Sequence, residues 1–143
     1  RSTQYRSSAA SDVYKRQGVD VRLGTDGAAS NNGLDMRAEA KTASLIQKHD
    51  HWDATILDPV ETWQLATKGS SDWVTWDLTD IRMRPRGRGS RRVLSNLIYS
   101  GTRCLDVFVD GIAIRRSGKT LTLDEERVSF DLEEAAQDYY SEI

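Results

Sequence analysis

Asp26 is the residue whose setting most invites chemistry. Val19, Val21 and Leu23 alternate with Asp20 and Arg22, and Gly24-Thr25-Asp26-Gly27 follows, so the sequence predicts a short strand ending in a glycine-flanked turn that presents a carboxylate. A carboxylate so placed can carry a proton or ligate a metal, and it can equally cap its own turn. Ser30 and Asn31 follow closely, as contacts for a bound molecule or as helix-capping groups. His49-Asp50-His51 has the spacing of a metal-binding pair, but it follows a predicted helix, precedes Trp52-Asp53 and reads as two exposed loop histidines. With two histidines and one cysteine in all, and a catalytic zinc site taking about three protein ligands, the chain does not supply a full ligand set.

Cys104, being alone, excludes an internal disulfide and reads as a packing residue in a reducing, cytoplasmic setting. Arg82, Arg84, Arg86, Arg88, Arg91 and Arg92 crowd one segment and raise a rival from another class, a non-catalytic polyanion or nucleic-acid binding module. No aromatic residue is interleaved among them, so a solvated loop is the favoured reading and a nucleic-acid partner is not expected.

The elements that must position these groups are those of a globular chain. With 38% hydrophobic and 29% charged residues, 143 residues suffice for one ordinary domain, and a net charge of −2 gives no global pull toward nucleic acid or anionic membranes. No apolar run reaches the roughly 20 residues that span a bilayer, so no membrane partner is expected. Residues 1–17 show no sustained period and are expected to be a disordered or artefactual leader; SDVYKRQ looks like a translated sequencing adapter.

Ser30 to Gly33 are expected to cap a helix ending near Lys48, with Leu34, Ala38, Leu45 and Ile46 on its inner face. Asp58-Pro59-Val60-Glu61 predicts a second helix start, with Val60, Trp63 and Ala66 or Thr67 facing inward and Gly69 ending the helix. Trp73 to Leu78 has strand composition, Ile81 to Arg92 reads as a loop, and Val93 to Tyr99 fits helix or strand. Asp110-Gly111 between Val107, Val109, Ile112 and Ile114 predicts a type I′ hairpin. Thr122 to Glu125 predicts a capping box, and Val128, Leu132, Ala135, Ala136, Tyr139 and Ile143 predict one stripe of a final amphipathic helix.

The stretch GVDVRLGTDGAASNNGLDMRAEAKTASLIQ, Gly18 to Gln47, resembles the last barrel strand and following helix of the amidohydrolase superfamily, in its methylthioadenosine/S-adenosylhomocysteine deaminase or chlorohydrolase-like branch. LGTDGAASNN carries most of the specificity, and Leu65-Ala66-Thr67 with Gly69, Leu97 to Ser100 and Val107 to Gly111 extend the likeness. Between Gly69 and Trp73 the family has a longer stretch of the type ARALGL…GSLExGKxADLV, where this chain has only Ser70-Ser71-Asp72. The earlier βα units, with the HxH of the first strand, have no counterpart.

The resemblance implies an α/β fold: a C-terminal piece of a (β/α)8 metal-dependent hydrolase barrel, part of an appended small β-domain and a C-terminal helix. The implied division is 1–17 leader, 18–70 last barrel strand and helices, 71–123 incomplete β-domain, and 124–143 C-terminal helix. It further implies that Asp26 is both catalytic residue and metal ligand, that Ser30 and Asn31 touch substrate, and that the parent uses one divalent metal, Zn²⁺ or Fe²⁺. The parent would deaminate or dechlorinate a purine-like or triazine-like ring, a small heteroaromatic substrate, as a homo-oligomer by likeness. With no initiator methionine at Arg1, the chain is expected to be a truncated piece, inactive by itself, binding no metal tightly and exposing faces that invite aggregation.

Overall fold

The computed structural model of the chain describes residues 18, 20–69 and 71–141. The expected leader, Val19 of the expected strand, Ser70 and Ile143 lie outside the described residues. The chain divides into two compact units, one built from the residues up to Gly69 with Thr79–Thr102, the other from Ser70–Leu78 with the residues from Arg103 onward. Residues 79–102 thus belong with the helical part.

The first unit is helical. Short α1 (Ala28–Asn31) leads to α2 (Met36–His51), α3 (Pro59–Thr67), a 3-10 turn (Ile81–Met83) and α4 (Ser90–Tyr99). The expected start of α2 is corrected: Asp35, not Ser30 to Gly33, is its cap, its carboxylate accepting from Arg37 N and Ala38 N. The helix also runs three residues past the expected end at Lys48, so His49 and His51 stand in its last turn and not in a loop, and Trp52 ends it with a left-handed backbone (φ 51°).

The inner face of α2 is corrected as well. Ala40, Ser44 and Gln47 are buried, while Leu34, Leu45 and Ile46 are exposed, Leu34 lying before the helix altogether. Three-to-four spacing brings Ala40, Ser44 and Gln47 onto one stripe, and hydrogen bonding, more than apolarity, selects which stripe turns inward. In α3 the buried residue is Thr62, with Val60, Trp63 and Ala66 half-buried and Thr67 exposed. The start of α3 follows expectation: Asp58 accepts from Val60 N and Glu61 N, and Glu61 Oε2 accepts from Asp58 N, a complete capping box with Pro59 in the first turn.

The core of this unit joins Ala40, Leu57, Met83, Leu97 and Ile98. At its centre the carbonyl of Leu57 accepts from Ser44 Oγ (3.1 Å), Thr62 Oγ1 (2.9 Å) and Lys48 Nζ (2.8 Å). Ser44 Oγ also meets Tyr99 Oη at 2.7 Å, and Lys41 Nζ donates to the Tyr99 carbonyl. One loop carbonyl therefore links α2 and α3, and the Ser44 hydroxyl and Lys41 ammonium extend the link to Tyr99 at the end of α4. Val93 to Tyr99 resolves as helix, ended by Gly101, whose N–H reaches Asn96 O at φ 72°.

The second unit is a four-stranded antiparallel sheet in the order β1 (Trp73–Trp76), β2 (Cys104–Val109), β3 (Ile112–Arg116), β4 (Lys119–Thr120), followed by α5 (Glu125–Ser141). Positive φ at Asp110 (49°) and Gly111 (77°) gives the expected type I′ hairpin. Asp106 ties three strands together: its carboxylate accepts from Thr75 Oγ1 (2.7 Å) on β1 and from Ser117 N (2.9 Å) beyond β3. Those two donors, the Ser117 amide foremost, hold the Asp106 carboxyl below its usual range. Trp73 stacks on Phe108 at 3.8 Å, with the Arg116 guanidinium 5.2 Å from the Phe108 ring centre.

The capping box expected from Thr122 and Glu125 does not form. Asp124 Oδ1 accepts from Arg127 N instead, and the Glu125 carboxylate turns to Thr120 and Arg115. The barrel-type strand expected before Asp26 likewise forms no ladder: residues 20–27 carry no regular secondary structure, and Leu23 N bonds to the carbonyl of Leu65 on α3. A parallel strand needs neighbours on either side, and none stands beside this segment among the described residues.

Ile98→Ala, at a fully buried site, is expected to cost about 2 to 5 kcal/mol of stability by chemical denaturation. The Asp58 carboxyl sits below its ordinary range because the Glu61 and Val60 amides and Arg91 stabilise its charge. Its contribution is therefore full above the unfolded carboxylate range of about 4 and is lost as pH falls through the lower folded value. Acid titration of the helical unit's stability should show that loss, and Asp58→Asn, which keeps a capping side chain but no charge, should flatten it.

Candidate active site at the Asp26 turn

Asp26 sits in the tight turn where the sequence places it, with a left-handed backbone at φ 59° that aspartate tolerates better than most residues. Oδ1 of its exposed carboxylate accepts from Gly27 N at 2.7 Å, so one oxygen is used by the turn and the other has no hydrogen-bond partner among the described residues. Both readings of the residue thus coexist in one geometry: it caps its own turn and presents a carboxylate oxygen.

Asn31 determines how firmly that turn is held. Its Nδ2 donates to the carbonyl of Thr25 (3.0 Å) and to Oε1 of Glu39 on α2 (2.6 Å), so the residue before Asp26 is tethered to the first turn of the long helix. Glu39 is the partner that sequence reasoning missed; an acid in the first turn of a helix is ordinarily explained by the helix dipole alone. Ser30 lies on exposed α1 and caps nothing, the N-cap of that short helix being Gly27. The structure therefore gathers Asp26, Ser30 and Asn31 within one turn and the short helix after it.

The other candidates lie elsewhere. His49 tilts against Trp52 at 5.8 Å between ring centres, and two residues of separation in a helix keep His49 and His51 from converging. Among the described residues no group of three or more His, Cys, Asp or Glu side chains could hold a metal ion. Asp26 therefore belongs to no such group, and the donor set among the described residues does not fit a metal site by itself. Burial pushes the Cys104 thiol up from its ordinary range, as suits a packing residue.

An open groove lined by Asp20, Val21, Leu65 and Lys68 does not include Asp26. Its carboxylate is already spent: Lys68 (2.6 Å) and then Arg22 (3.0 Å) hold the Asp20 carboxyl below its usual range. In the basic segment Arg82 pairs with Asp80 at 2.6 Å and Arg91 with Asp58 at 2.9 Å. Arg84, Arg86 and Arg88 pair with no carboxylate among the described residues. No helix of the described residues is long and apolar enough to cross a membrane.

No protein-family model matches the chain. Over 131 residues it is 40% identical to the 5-methylthioadenosine/S-adenosylhomocysteine deaminase of Bacillus cytotoxicus, an alignment covering 80% of this chain and 30% of that protein. The protein of the same name from Bacillus thuringiensis strain Al Hakam is 39% identical over the same shares. An adenosine deaminase from Xanthomonas campestris, solved with bound zinc, superposes with a TM-score of 0.75 at 28% identity, over 89% of this chain and 33% of that one.

The chain is thus a relative of deaminase-type amidohydrolases. In particular, it is homologous to the 5-methylthioadenosine/S-adenosylhomocysteine deaminases and spans about 30% of the length of the curated relatives it matches. The 131 aligned residues exceed the 80% of this 143-residue chain that they occupy, so the relative carries residues with no counterpart here.

Asn31→Ala removes both tethers of the turn. It is expected to broaden or shift the Thr25 to Gly27 amide resonances while leaving the amides around Ser44 and Leu57 unchanged; unmoved turn resonances would show that Asn31 does not hold it.

Proposed function

We propose that this chain supplies the proton-carrying carboxylate of a metal-dependent deaminase, Asp26, from the last strand of a (β/α)8 barrel. The observation that carries the reading is an exposed carboxylate at a tethered GTDG turn, with one oxygen unengaged, in a chain homologous to deaminases. Barrel enzymes place their chemistry at the C-terminal ends of strands, where such a turn would stand. In this reading residues 18–70, together with the helical residues 79–102, carry the strand and its helices, 71–78 and 103–123 form part of a small β-domain, and 124–143 a final helix. The relative's extra aligned residues would fall at the short Gly69 to Trp73 connection.

Hydrolytic deamination adds water to the ring carbon that bears the amino group, then breaks the carbon–nitrogen bond and releases ammonia. A proton must pass from the attacking water to the departing nitrogen, and a carboxylate within hydrogen-bond reach of both can carry it. Asp26 is assigned that role, together with one ligand position on a divalent metal, Zn²⁺ or Fe²⁺. The other ligands would have to come from residues beyond those described. Bound metal would make water nucleophilic near neutral pH by lowering its pKa toward about 7.

Ser30, exposed beside the turn, is assigned to substrate. Asn31, whose amide group is committed to the turn, has only its Oδ1 left to accept from substrate. The substrate class is a small purine-like ring with an exocyclic amine, following the names of the relatives, and the whole enzyme would be a homo-oligomer in the cytoplasm.

The test is a graft. Residues 18–67 of this chain, placed in the Bacillus cytotoxicus deaminase in exchange for the aligned residues, should retain release of ammonia from 5-methylthioadenosine. Asp26→Asn in the graft should lower kcat by about 10³-fold with the fold intact. Undiminished turnover by that variant would remove Asp26 from the reaction. The 143-residue chain alone is expected to release no ammonia and to take up less than one equivalent of zinc at micromolar concentration. Stoichiometric zinc together with a single cooperative melting transition would overturn that expectation.

A further inference from the structure

The last helix raises a separate question. α5 is 17 residues long, and Val128, Phe130, Leu132, Tyr139 and Tyr140 along it are all exposed. At its first residue Glu125 bonds to Arg115 and Thr120. Helices gain most of their stability in proteins by burying an apolar face, and α5 leaves these side chains in water. Val128, Leu132, Ala135 and Tyr139 follow the alternating four-three spacing of a helix seam built to be covered.

Charge narrows what can cover it. In sequence Glu125, Glu126, Asp131, Glu133, Glu134 and Asp138 fall on α5 against one cation, Arg127, so two copies of α5 packed on each other would bring like charges together. The complement is in the helical unit: residues 79–102 carry six arginines against one acid, Asp80. Among the described residues Arg84, Arg86 and Arg88 have no carboxylate partner, and Ile81 beside them is 80% exposed. Among the same residues Glu126, Glu133 and Glu134 on α5 have no cationic partner. The chain as a whole is close to neutral, at −2, so little net repulsion opposes association of copies.

We propose that α5 of one copy docks on the arginine segment, residues 81–92, of a second copy, covering its apolar seam and pairing its acids with Arg84, Arg86 and Arg88. This inference is independent of the deaminase reading, since neither surface includes the Asp26 turn.

Sedimentation equilibrium of the full chain tests it. Association is expected at micromolar concentration in 50 mM salt and should weaken by at least about ten-fold in 500 mM salt, where screening is short-ranged. Glu133→Arg with Glu134→Arg should weaken association by about ten-fold, and so should Arg86→Glu with Arg88→Glu. Combining the four changes re-pairs the charges with inverted sign and should bring association back to within about three-fold of the parent. Circular dichroism of each variant checks that helix content is kept. A monomer at every concentration in low salt, or salt-insensitive association, would overturn the proposal, as would a combined variant no stronger than the single-sided ones.

Discussion

The carbonyl of Leu57 is the point on which the helical unit depends. A carbonyl oxygen has two lone pairs, yet this one receives a serine hydroxyl, a threonine hydroxyl and a lysine ammonium, from α2, α3 and α2 again. Leu57 itself is buried with a left-handed backbone (φ 50°), so the loop is turned inward and its carbonyl would be stranded away from water without those donors. Lys48 adds a bond to the carbonyl of Ile56, and its ammonium brings a full charge into a half-buried place where two carbonyls and the Ser44 hydroxyl replace its hydration. Ser44 and Thr62 are fully buried because their hydroxyls meet that carbonyl's need for donors away from water.

That node fixes α2, and α2 fixes the candidate site. Glu39 in the first turn of α2 holds Asn31, Asn31 holds the carbonyl of Thr25, and Thr25 is the residue before the exposed carboxylate. The chain of contacts runs from a buried loop carbonyl to a surface carboxylate by way of one long helix. Precision at Asp26 is therefore inherited from packing, and the turn needs only its own Gly27 amide and the Asn31 tether to complete it.

Much of this was legible in the residues because some signals are local. Asp58-Pro59-x-Glu61 satisfies its own orphan amides, and Asp110-Gly111 admits the positive φ values of a tight hairpin, so both appear where the sequence puts them. The inner face of α2 was not legible, because apolarity points to Leu45 and Ile46 while the buried stripe is chosen by Ser44 reaching Leu57 and Tyr99 in distant segments. The start of α5 failed for a related reason: Thr122 and Glu125 have capping-box spacing, but Arg115 and Thr120 compete for the Glu125 carboxylate and Asp124 takes the cap. Strand character before Asp26 failed because a ladder requires a neighbour, which alternation in one segment cannot supply.

The same distinction separates what Asp26 can do from what the chain can do. The turn is held by its own Gly27 amide and by Asn31, and neither contact uses the second Asp26 oxygen, which is available to any proton or metal brought to it. Catalysis adds a requirement of a different kind, several groups converging on one point, and convergence is a property of packed elements and not of a motif. The GTDG segment is recognisable in sequence because the turn is local. Among the described residues no group of three or more His, Cys, Asp or Glu side chains could hold a metal ion, so whatever chemistry Asp26 performs is set by the groups that surround it in an assembled site.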